Sequence, residues 1–234
     1  MKAVFDHTYD EAANIRTFFF RPEKPVYYTA GQYTELTLLH KHPDNRGMKR
    51  WFTLSSAPES EFLTIMTKHA DENGSSFKNA LWGLKPGAEV DLAEPMGDFV
   101  LPKLIQTPLV FVAGGIGLTP FHSMLEWLAA TGESRPIKFL YGVRSEDEII
   151  FQQTFAKVGI QPTIIVSDPS PAWGGERGRL TADLVLGLEK PSDDTLIYIS
   201  GPEPMVESLE KDLKKAGVPR NRLVGDFFPN YTTI

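Results

Sequence analysis

The first hundred residues alternate short apolar runs with turn residues, a pattern typical of β-strands. Strands are predicted over residues 15–20, 33–39, 49–55, 62–67 and 88–93. Proline, glycine, aspartate and asparagine occupy the breaks, as in Ala30-Gly31 and Pro86-Gly87. Short strands at this spacing favour an antiparallel barrel or sandwich. One stretch with helical spacing, residues 77–84, interrupts the strands, and the serines before it are predicted to cap it.

Beyond Pro102 the apolar runs alternate with helical patterns. Residues 109–113 form a continuous apolar run, as expected of a strand buried on both faces. A glycine-rich turn ends at Pro120, and Thr119 is predicted to cap a helix that stops near Gly132. Further strands are predicted over residues 137–143, 163–166, 196–200 and 223–228, and helices over 147–157, 181–188 and about 203–217. This alternation predicts a doubly wound parallel sheet with ligands at the carboxyl ends of its strands.

The change of pattern near residues 102–108 predicts two domains, one over residues 1–103 and one over residues 104–234. The chain has 234 residues, enough for two cores, and a net charge of −6. That mild acidity argues against a nucleic-acid partner, which requires a strongly basic face. No cysteine is present, so disulfides, thiolate metal sites and cysteine-held iron–sulfur clusters are excluded. The N-terminus does not have the pattern of a signal peptide, and no apolar run approaches the roughly 20 residues that span a bilayer. We therefore expect a soluble cytoplasmic protein.

The stretch from Arg50 to Ser56 combines a cation, aromatic rings and a hydroxyl on one predicted strand. A flavin dinucleotide requires these groups: a cation for its pyrophosphate, a ring beside the isoalloxazine and a hydrogen-bonding group near N5. The alternative is a half-buried barrel strand that carries a surface arginine. Likewise, Asn73-Gly74-Ser75-Ser76 before the first helix forms either an anion pocket or an ordinary capped helix.

The turn from Gly114 to Pro120 joins a buried strand to a helix, which is the arrangement of a phosphate cradle. Its spacing is not that of the G-x-G-x-x-G fingerprint, and a tight turn without a ligand is the alternative. A second glycine turn, Gly201-Pro202, also follows a predicted strand. Both turns fall at the edge of the sheet where nucleotides bind.

Taken in order along both halves, these motifs resemble those of the ferredoxin–NADP reductase superfamily. Arg50-Trp51-Phe52-Thr53-Leu54-Ser55-Ser56 is similar to its flavin signature, and Gly114 to Pro120 to its nucleotide motif. Ser200 to Met205 and Asp226-Phe227-Phe228 resemble its later elements. The resemblance implies a six-stranded antiparallel flavin-binding barrel followed by a pyridine-nucleotide domain. It also implies a standalone oxidoreductase, without an iron–sulfur or haem domain, that uses FAD and either NADPH or NADH.

The resemblance also implies roles for individual residues. Three of them would be catalytic: Thr53 near flavin N5, Ser200 near nicotinamide C4, and Phe228 over the flavin face that receives the nicotinamide. Arg50 would hold the pyrophosphate, and Phe52 would lie against the isoalloxazine. Further flavin contacts would come from Trp51, Lys68, His69, Gly74, Ser75 and Ser76. Contacts with the nicotinamide nucleotide would come from Gly115, Gly117, Thr119, Arg144, Arg179, Gly201, Pro202 and Met205.

Three residues depart from the superfamily pattern. Phe52 replaces the commoner tyrosine and so lacks a hydroxyl for the ribityl chain. Ser200 replaces the usual cysteine, which predicts weaker positioning and slower hydride transfer. Asp168 stands where some relatives carry an arginine; it can bond ribose hydroxyls and would repel a 2′-phosphate. The choice between NADH and NADPH is therefore open, and FAD rather than FMN rests on analogy.

The expected activity is hydride transfer from NAD(P)H to bound FAD, followed by electron transfer to a separate acceptor. Ferredoxin, flavodoxin, a haem or oxygenase partner, free flavin and a small molecule are all open as acceptors. The alternatives are a flavin- or nucleotide-binding module without turnover, and a subunit active only with its partner. Two basic clusters could dock an acidic carrier, although solvated charges at a helix end are the favoured explanation of the second. They comprise Arg46, Lys49 and Arg50, and Lys211, Lys214, Lys215, Arg220 and Arg222. His40 and His42 lack a carboxylate at ligand spacing, so no metal site is predicted.

Overall fold

A computed structural model describes residues 1–69, 74–188 and 194–228. Two six-stranded sheets organise these residues, the first antiparallel and the second parallel. The predicted fold class is thereby confirmed. The first sheet ends at Leu92 and the second begins at Leu109. The predicted domain boundary near residue 103 falls between them and stays a prediction.

The antiparallel sheet closes into a barrel. Its strands are β1 (Lys2–Ala12), β2 (Ile15–Pro22), β3 (Tyr33–Thr37), β4 (Lys49–Thr53), β5 (Leu63–Lys68) and β6 (Glu89–Leu92). They are ordered β4-β3-β6-β1-β2-β5, and a bridge between Leu54 and Ile65 joins the two ends. The Ser55 amide also donates to the Thr64 carbonyl oxygen at 2.9 Å. Closure removes the exposed edges that an open sheet would leave.

Strand β1 was not among the predicted strands. Its register shifts twice, between Phe5 and His7 and between Asp10 and Ala12, and each bulge moves later side chains to the other face. The alternation of apolar and polar residues is therefore broken, although Phe5 is buried. Its partner β2 contributes Phe18 and Phe20 to the same core.

Helix α1 (Ser76–Trp82) packs against the barrel core through Phe77 and Leu81, both fully buried. It is shorter than the predicted helix and ends at Gly83. This packing places its first residues next to strand β4, because Phe77 contacts Phe52 with ring centroids 5.9 Å apart.

The parallel sheet has the order β10-β9-β8-β7-β11-β12. Its strands are β7 (Leu109–Gly114), β8 (Ile137–Val143), β9 (Thr163–Val166), β10 (Glu176–Arg177), β11 (Leu196–Pro202) and β12 (Leu223–Phe228). The accompanying helices are α2 (Thr119–Thr131), α3 (Gln152–Lys157), α4 (Ala182–Gly187) and α5 (Glu203–Lys215), with 3-10 turns at Gly115–Leu118, Glu146–Glu148 and Arg220–Arg222. The strand order reverses between β7 and β11, and such a switch point opens a crevice at the carboxyl ends of the strands.

The helix predicted over residues 147–157 is wrong in its first half. A 3-10 turn ends at Glu148, and α3 begins only at Gln152. Phe151 adopts a left-handed backbone conformation with φ of 58°, which a continuous helix cannot contain. Its ring stacks on His122 with centroids 3.6 Å apart. A tertiary contact thus accompanies the interruption of a segment whose local pattern is helical.

The barrel and the α/β half share one apolar core. Ile15, Met66 and Phe99 pack in the same cluster as Phe111 and Phe121. Polar contacts cross the same junction: the Ser123 hydroxyl donates to the Ser56 carbonyl oxygen at 2.6 Å, and the Tyr198 hydroxyl to that of Val100 at 2.8 Å. The two halves are therefore fixed relative to each other by both apolar and directional contacts. None of the helices in the described ranges has the length and apolar character needed to cross a membrane.

The Tyr198 contact gives a test of this junction. Tyr198→Phe removes the hydroxyl that satisfies the Val100 carbonyl, so we expect the free energy of unfolding in urea to fall by about 1 kcal/mol. Tyr9→Phe is the matched control, because Tyr9 is 62% exposed, and its effect should stay within about 0.5 kcal/mol. Equal effects of the two substitutions would contradict a stabilising role for the Tyr198 hydroxyl.

Candidate flavin and nucleotide site

Arg50 on β4 lies beside the first residues of α1. Its Nη1 atom donates to the carbonyl oxygens of Arg46, Gly47 and Lys49 at 2.8, 3.1 and 2.6 Å. Its Nη2 atom donates to the Ser75 hydroxyl at 3.3 Å, and the guanidinium lies over the Phe77 ring. The structure therefore brings together two residues, Arg50 and Ser75, that the sequence assigned to one anionic ligand.

Asp44 was not predicted as part of this site. Its carboxylate accepts from Arg50 Nη2 at 3.2 Å and from the Ser76 backbone amide at 3.1 Å. Burial opposes ionisation, but hydrogen bonds from Arg46 and Ser76 outweigh it and hold the pKa of Asp44 well below its usual range. In the sequence Asp44 belongs to a Pro-Asp-Asn turn, and nothing local links it to a serine 32 residues later.

The prediction that the hydroxyls of Ser75 and Ser76 cap α1 is wrong. Ser75 occupies the position before α1, but its hydroxyl makes no capping hydrogen bond and accepts from Arg50 instead. The Ser76 hydroxyl accepts from the Asp44 backbone amide at 2.8 Å and contacts His40 Nε2 at 3.1 Å. The Asp44 carboxylate takes the place of a local cap. Gly74, which precedes the two serines, is half-buried.

The next three residues of β4 differ in exposure. Trp51 is 52% exposed and meets Tyr33 edge to face, whereas Phe52 is buried against Phe77 in the barrel core. Thr53 is also buried, and its hydroxyl makes no hydrogen bond within the described ranges of the chain. A hydroxyl without a protein partner can donate to or accept from a ligand atom, as a position near flavin N5 requires.

Lys68 and His69 have protein partners at the end of β5. Lys68 Nζ is 2.5 Å from Glu148 Oε1, which belongs to the α/β half. His69 Nε2 lies 3.0 Å from Asn79 Oδ1, and its ring is tilted against Trp82. Their predicted contact with the flavin's ribityl or phosphate path stays a prediction, and Lys68 contributes to the junction as well.

The glycine turn after β7 is shaped by its packing on β11. Gly115 has a left-handed φ of 51°. A Cβ at Gly117 would lie 2.2 Å from the Ser200 carbonyl oxygen, which forbids a side chain there. Thr119 is the first residue of α2 and not its N-cap, and its buried hydroxyl donates to the Ile116 carbonyl oxygen at 2.9 Å. The capping prediction for Thr119 is therefore wrong, because a 3-10 turn precedes the helix directly.

A cleft of about 430 Å³ opens at the carboxyl ends of β8, β9 and β11. Of the residues predicted to bind the nucleotide, Arg179, Pro202 and Met205 line it. Three hydroxyl side chains, Ser167, Thr181 and Ser208, are also on its wall. A guanidinium and several hydroxyls around partly apolar walls suit the phosphates, ribose and base of a nucleotide.

Other predicted nucleotide residues lie outside the lining of this cleft. Arg144 and Asp168 follow β8 and β9, and their side chains are exposed, with Nε 3.9 Å from Oδ2. Gly115 belongs to the turn after β7, whereas Gly201 belongs to the end of β11. A Cβ at Gly201 would lie 2.6 Å from the end of the Met205 side chain, so the end of β11 and α5 are in close contact. These positions flank the cleft, and their contact with a nucleotide stays a prediction.

Ser200 and Asp226 form a pair on neighbouring strands. They are aligned across β11 and β12, and the fully buried Ser200 hydroxyl lies 3.5 Å from Asp226 Oδ2. Burial raises the pKa of Asp226 to about 6, although the hydrogen bond from Ser200 opposes the shift. Phe228, aligned with Pro202, is half-buried against the shared core. The sequence indicated Asp226 only as part of a motif, and the strand register pairs it with Ser200.

Within the described residues, no cluster of three or more histidine, aspartate or glutamate side chains could hold a metal ion. His40 instead contacts the Leu38 carbonyl oxygen at 2.9 Å and the Ser76 hydroxyl.

A family model described as the oxidoreductase NAD-binding domain matches residues 111–211. The chain is 31% identical over 227 residues to a flavohemoprotein of Xylella fastidiosa, covering 93% of this chain and 56% of that protein. It is 29% identical over 220 residues to the reductase component of propane 2-monooxygenase from Rhodococcus jostii, covering 88% and 58%. It thus spans a little over half the length of these relatives.

Among solved structures, the flavohem-like FAD/NAD-binding domain of nitric oxide dioxygenase from Vibrio cholerae superposes with a TM-score of 0.81. The sequence identity is 25%, and the match covers 97% of this chain and 98% of that domain. The likeness therefore extends over both sheets.

The buried Asp226 gives a pH-dependent prediction. Its folded pKa of about 6 exceeds its ordinary value of 3.8, so the folded protein binds this proton more tightly than the unfolded chain. The resulting stabilisation is present below about pH 4 and is lost as the pH rises through about 6. The Asp226→Asn variant cannot ionise at this position. As the pH rises from about 4 to about 7, the free energy of unfolding of Asp226→Asn should therefore increase by about 2 to 3 kcal/mol relative to that of the parent protein.

Urea unfolding across this pH range measures the difference. Asp91→Asn is the control, because the Asp91 carboxylate is 58% exposed on β6 and should leave the pH profile unchanged. Parallel profiles for Asp226→Asn and the parent protein would contradict a protonated, buried Asp226.

Proposed function

Because this chain belongs to the ferredoxin–NADP reductase superfamily of NAD(P)H-dependent oxidoreductases, we propose that it transfers a hydride from NADH to bound FAD and passes the electrons to a separate redox protein. Binding of FAD and NAD(P)H is common to this fold and to the matched domains. Bound FAD supplies the electron relay, since it accepts two electrons with a hydride and can return them singly. The residues of this chain supply binding, orientation and exclusion of water.

One observation carries the proposal: residues 115–123 contact both the residues that follow β4, on the proposed flavin side, and the end of β11, on the proposed nucleotide side. On one side, His122 Nδ1 lies 2.7 Å from the Ser55 carbonyl oxygen, directly after the flavin strand. On the other side, Gly117 packs against the backbone of Ser200 at the end of β11. The same short segment therefore contacts Ser55, two residues after Thr53, and Ser200, and a fixed alignment of two rings across a junction requires such a link.

On the flavin side, we assign the pyrophosphate to Arg50 and to Ser75 and Ser76, whose donors converge beside α1. Thr53 would hydrogen-bond near flavin N5. On the nucleotide side, Arg179 would bind a phosphate in the cleft, and Ser200 would orient the nicotinamide. Phe228 would cover the flavin face until the nicotinamide arrives. The Asp226 carboxyl holds the Ser200 hydroxyl and is the residue best placed to bind a proton there.

We assign NADH as the preferred donor because of Asp168. It lies two residues after the end of β9 and has an exposed side chain at the edge of the sheet where a nucleotide's ribose would lie. A carboxylate accepts hydrogen bonds from a ribose diol and repels a 2′-phosphate. The matched Vibrio cholerae domain, whose name specifies NAD, agrees with this assignment.

The proposed acceptor is a redox protein such as an oxygenase component, a ferredoxin or a haem protein. One matched relative is a reductase component of a monooxygenase, and another is a flavohemoprotein. The first basic cluster offers little free charge for docking, since Arg46 and Arg50 pair with Asp44, and Lys49 pairs with Glu35. In the second cluster, Lys214 pairs with Glu210 and Lys215 with Asp212, whereas Arg220 and Arg222 donate to backbone carbonyl oxygens. We therefore expect an acceptor that docks beside the first cluster to be reduced at a rate that depends only weakly on ionic strength.

A spectrum of the purified protein tests the proposal. Reconstitution with FAD should give a yellow protein, and NADH should bleach its visible absorbance within the mixing time of a steady-state assay. Turnover of an artificial acceptor such as ferricyanide should follow. Oxidised flavin that persists with both NADH and NADPH would remove the reductase assignment and leave a binding module. Bleaching without turnover would identify a subunit that requires its partner.

Asp168 makes the donor preference testable. Asp168→Ala should raise the ratio of kcat/KM for NADPH to that for NADH by on the order of tenfold, because it removes a like charge from the 2′-phosphate. Glu176→Ala is the control: Glu176 is an exposed acid on the neighbouring strand β10, outside the cleft lining. An unchanged ratio in Asp168→Ala would show that Asp168 does not select the nucleotide.

A further inference from the structure

The Asp44 carboxylate occupies the donors that the proposed function assigns to the flavin phosphates. Its Oδ1 atom accepts from Arg50 Nη2 at 3.2 Å and from the Arg46 amide at 2.9 Å. Its Oδ2 atom accepts from the Ser76 amide at 3.1 Å and from the Arg46 guanidinium at 3.2 Å. One carboxylate therefore joins the cation of β4 to the first amide of α1, as a bound phosphate oxygen would.

Asp44 is not needed to orient Arg50. Three backbone carbonyl oxygens already fix Nη1 of Arg50, and the Phe77 ring supports the face of its guanidinium. Only Nη2 reaches Asp44, and it also reaches the Ser75 hydroxyl. Removal of the Asp44 charge should therefore leave the arginine in place and make its outward N–H groups available.

The loop that carries Asp44 has its own supports. Backbone turns with positive φ flank it, at His42 with 55° and at Gly47 with 70°. The Gly47 amide donates to the Asp44 carbonyl oxygen at 2.9 Å, and a Cβ at Gly47 would meet no atom within 4 Å. These contacts hold the main chain of the turn in addition to the Asp44 side chain, and Asp44→Asn keeps a side-chain oxygen for the Arg46 amide, so the fold should stay intact.

We propose that Asp44 is an intramolecular anion that competes with the phosphates of the flavin nucleotide for Arg50 and the Ser76 amide, and thereby sets the affinity for FAD. The proposal rests on the proposed function, which places the flavin phosphates at these donors. An ionised carboxylate and a phosphate oxygen cannot both lie within hydrogen-bond distance of the same N–H without strong repulsion. The residue therefore lowers FAD affinity and favours exchange of the flavin with solution.

Titration of flavin-free protein with FAD, followed by flavin fluorescence, tests this. Asp44→Asn keeps the shape of the side chain and removes its charge, so the Kd for FAD should fall by at least about fivefold, as expected when one repulsive charge is lost. The Kd for FMN should also fall, whereas riboflavin, which has no phosphate, should bind unchanged. Asp44→Ser also removes the charge and retains an acceptor for the Ser76 amide. If Asp44→Asn folds poorly, Asp44→Ser should likewise lower the Kd for FAD and for FMN and leave the Kd for riboflavin unchanged.

Two controls separate this inference from the proposed function. Asp91→Asn removes an exposed carboxylate on β6 and should leave every Kd unchanged. In the double variant Asp44→Asn with Arg50→Gln, the gain in FAD affinity should disappear, because the competing partner is gone. Weaker or equal FAD binding by both Asp44 variants would overturn the competition and give Asp44 a structural role. Absence of FAD binding by the parent protein and both variants would remove the proposed flavin site itself.

Discussion

The structure depends on how residues 115–123 are held between the barrel and the parallel sheet. The carbonyl oxygens of Ser55 and Ser56 each receive a hydrogen bond from the first turns of α2, from His122 and Ser123. A carbonyl can only accept, so the His122 ring carries its proton on Nδ1. Burial lowers the pKa of His122 to about 4, although the Ser55 contact opposes that shift, and the ring is neutral near pH 7. Two short, directional bonds of this kind fix the end of the flavin strand far more narrowly than apolar packing alone.

The same segment also sets the distance between the end of the flavin strand and Ser200, because Gly117 touches the Ser200 backbone with no room for a side chain. A rigid connection of this kind suits a reaction in which two flat ligands must meet at a fixed separation. Charged residues of the candidate site are paired as well: Lys68 with Glu148, and Arg50 with Asp44. Such pairs contribute modestly to stability when partly exposed, but they decide which donors remain for a ligand. The first of these pairs joins distant parts of the chain, since Lys68 and Glu148 lie 80 positions apart.

Most of the fold could be predicted from periodicity, while the errors have specific causes. Continuous apolar runs identified the strands of the parallel sheet, since a strand buried on both faces leaves no polar alternation. Strand β1 was missed because its bulges break the period, and the front of the 147–157 segment was assigned to a helix because nothing local reports the left-handed Phe151. For the site, the motifs indicated Arg50 and Ser75 together, and the structure places them in contact. Asp44 and the pairing of Asp226 with Ser200 gave no local signal.

By itself, the sequence determined the two sheets, their order along the chain and the motifs at the strand ends, because each depends on contacts within a few residues. Tertiary structure alone decided which groups share a hydrogen bond: the Asp44 carboxylate replaces a local cap on α1, and the register of β11 with β12 sets Asp226 beside Ser200. The physical reason is that hydrogen-bond partners are chosen by distance in space, and barrel closure and parallel pairing bring together residues that lie between 26 and 67 positions apart.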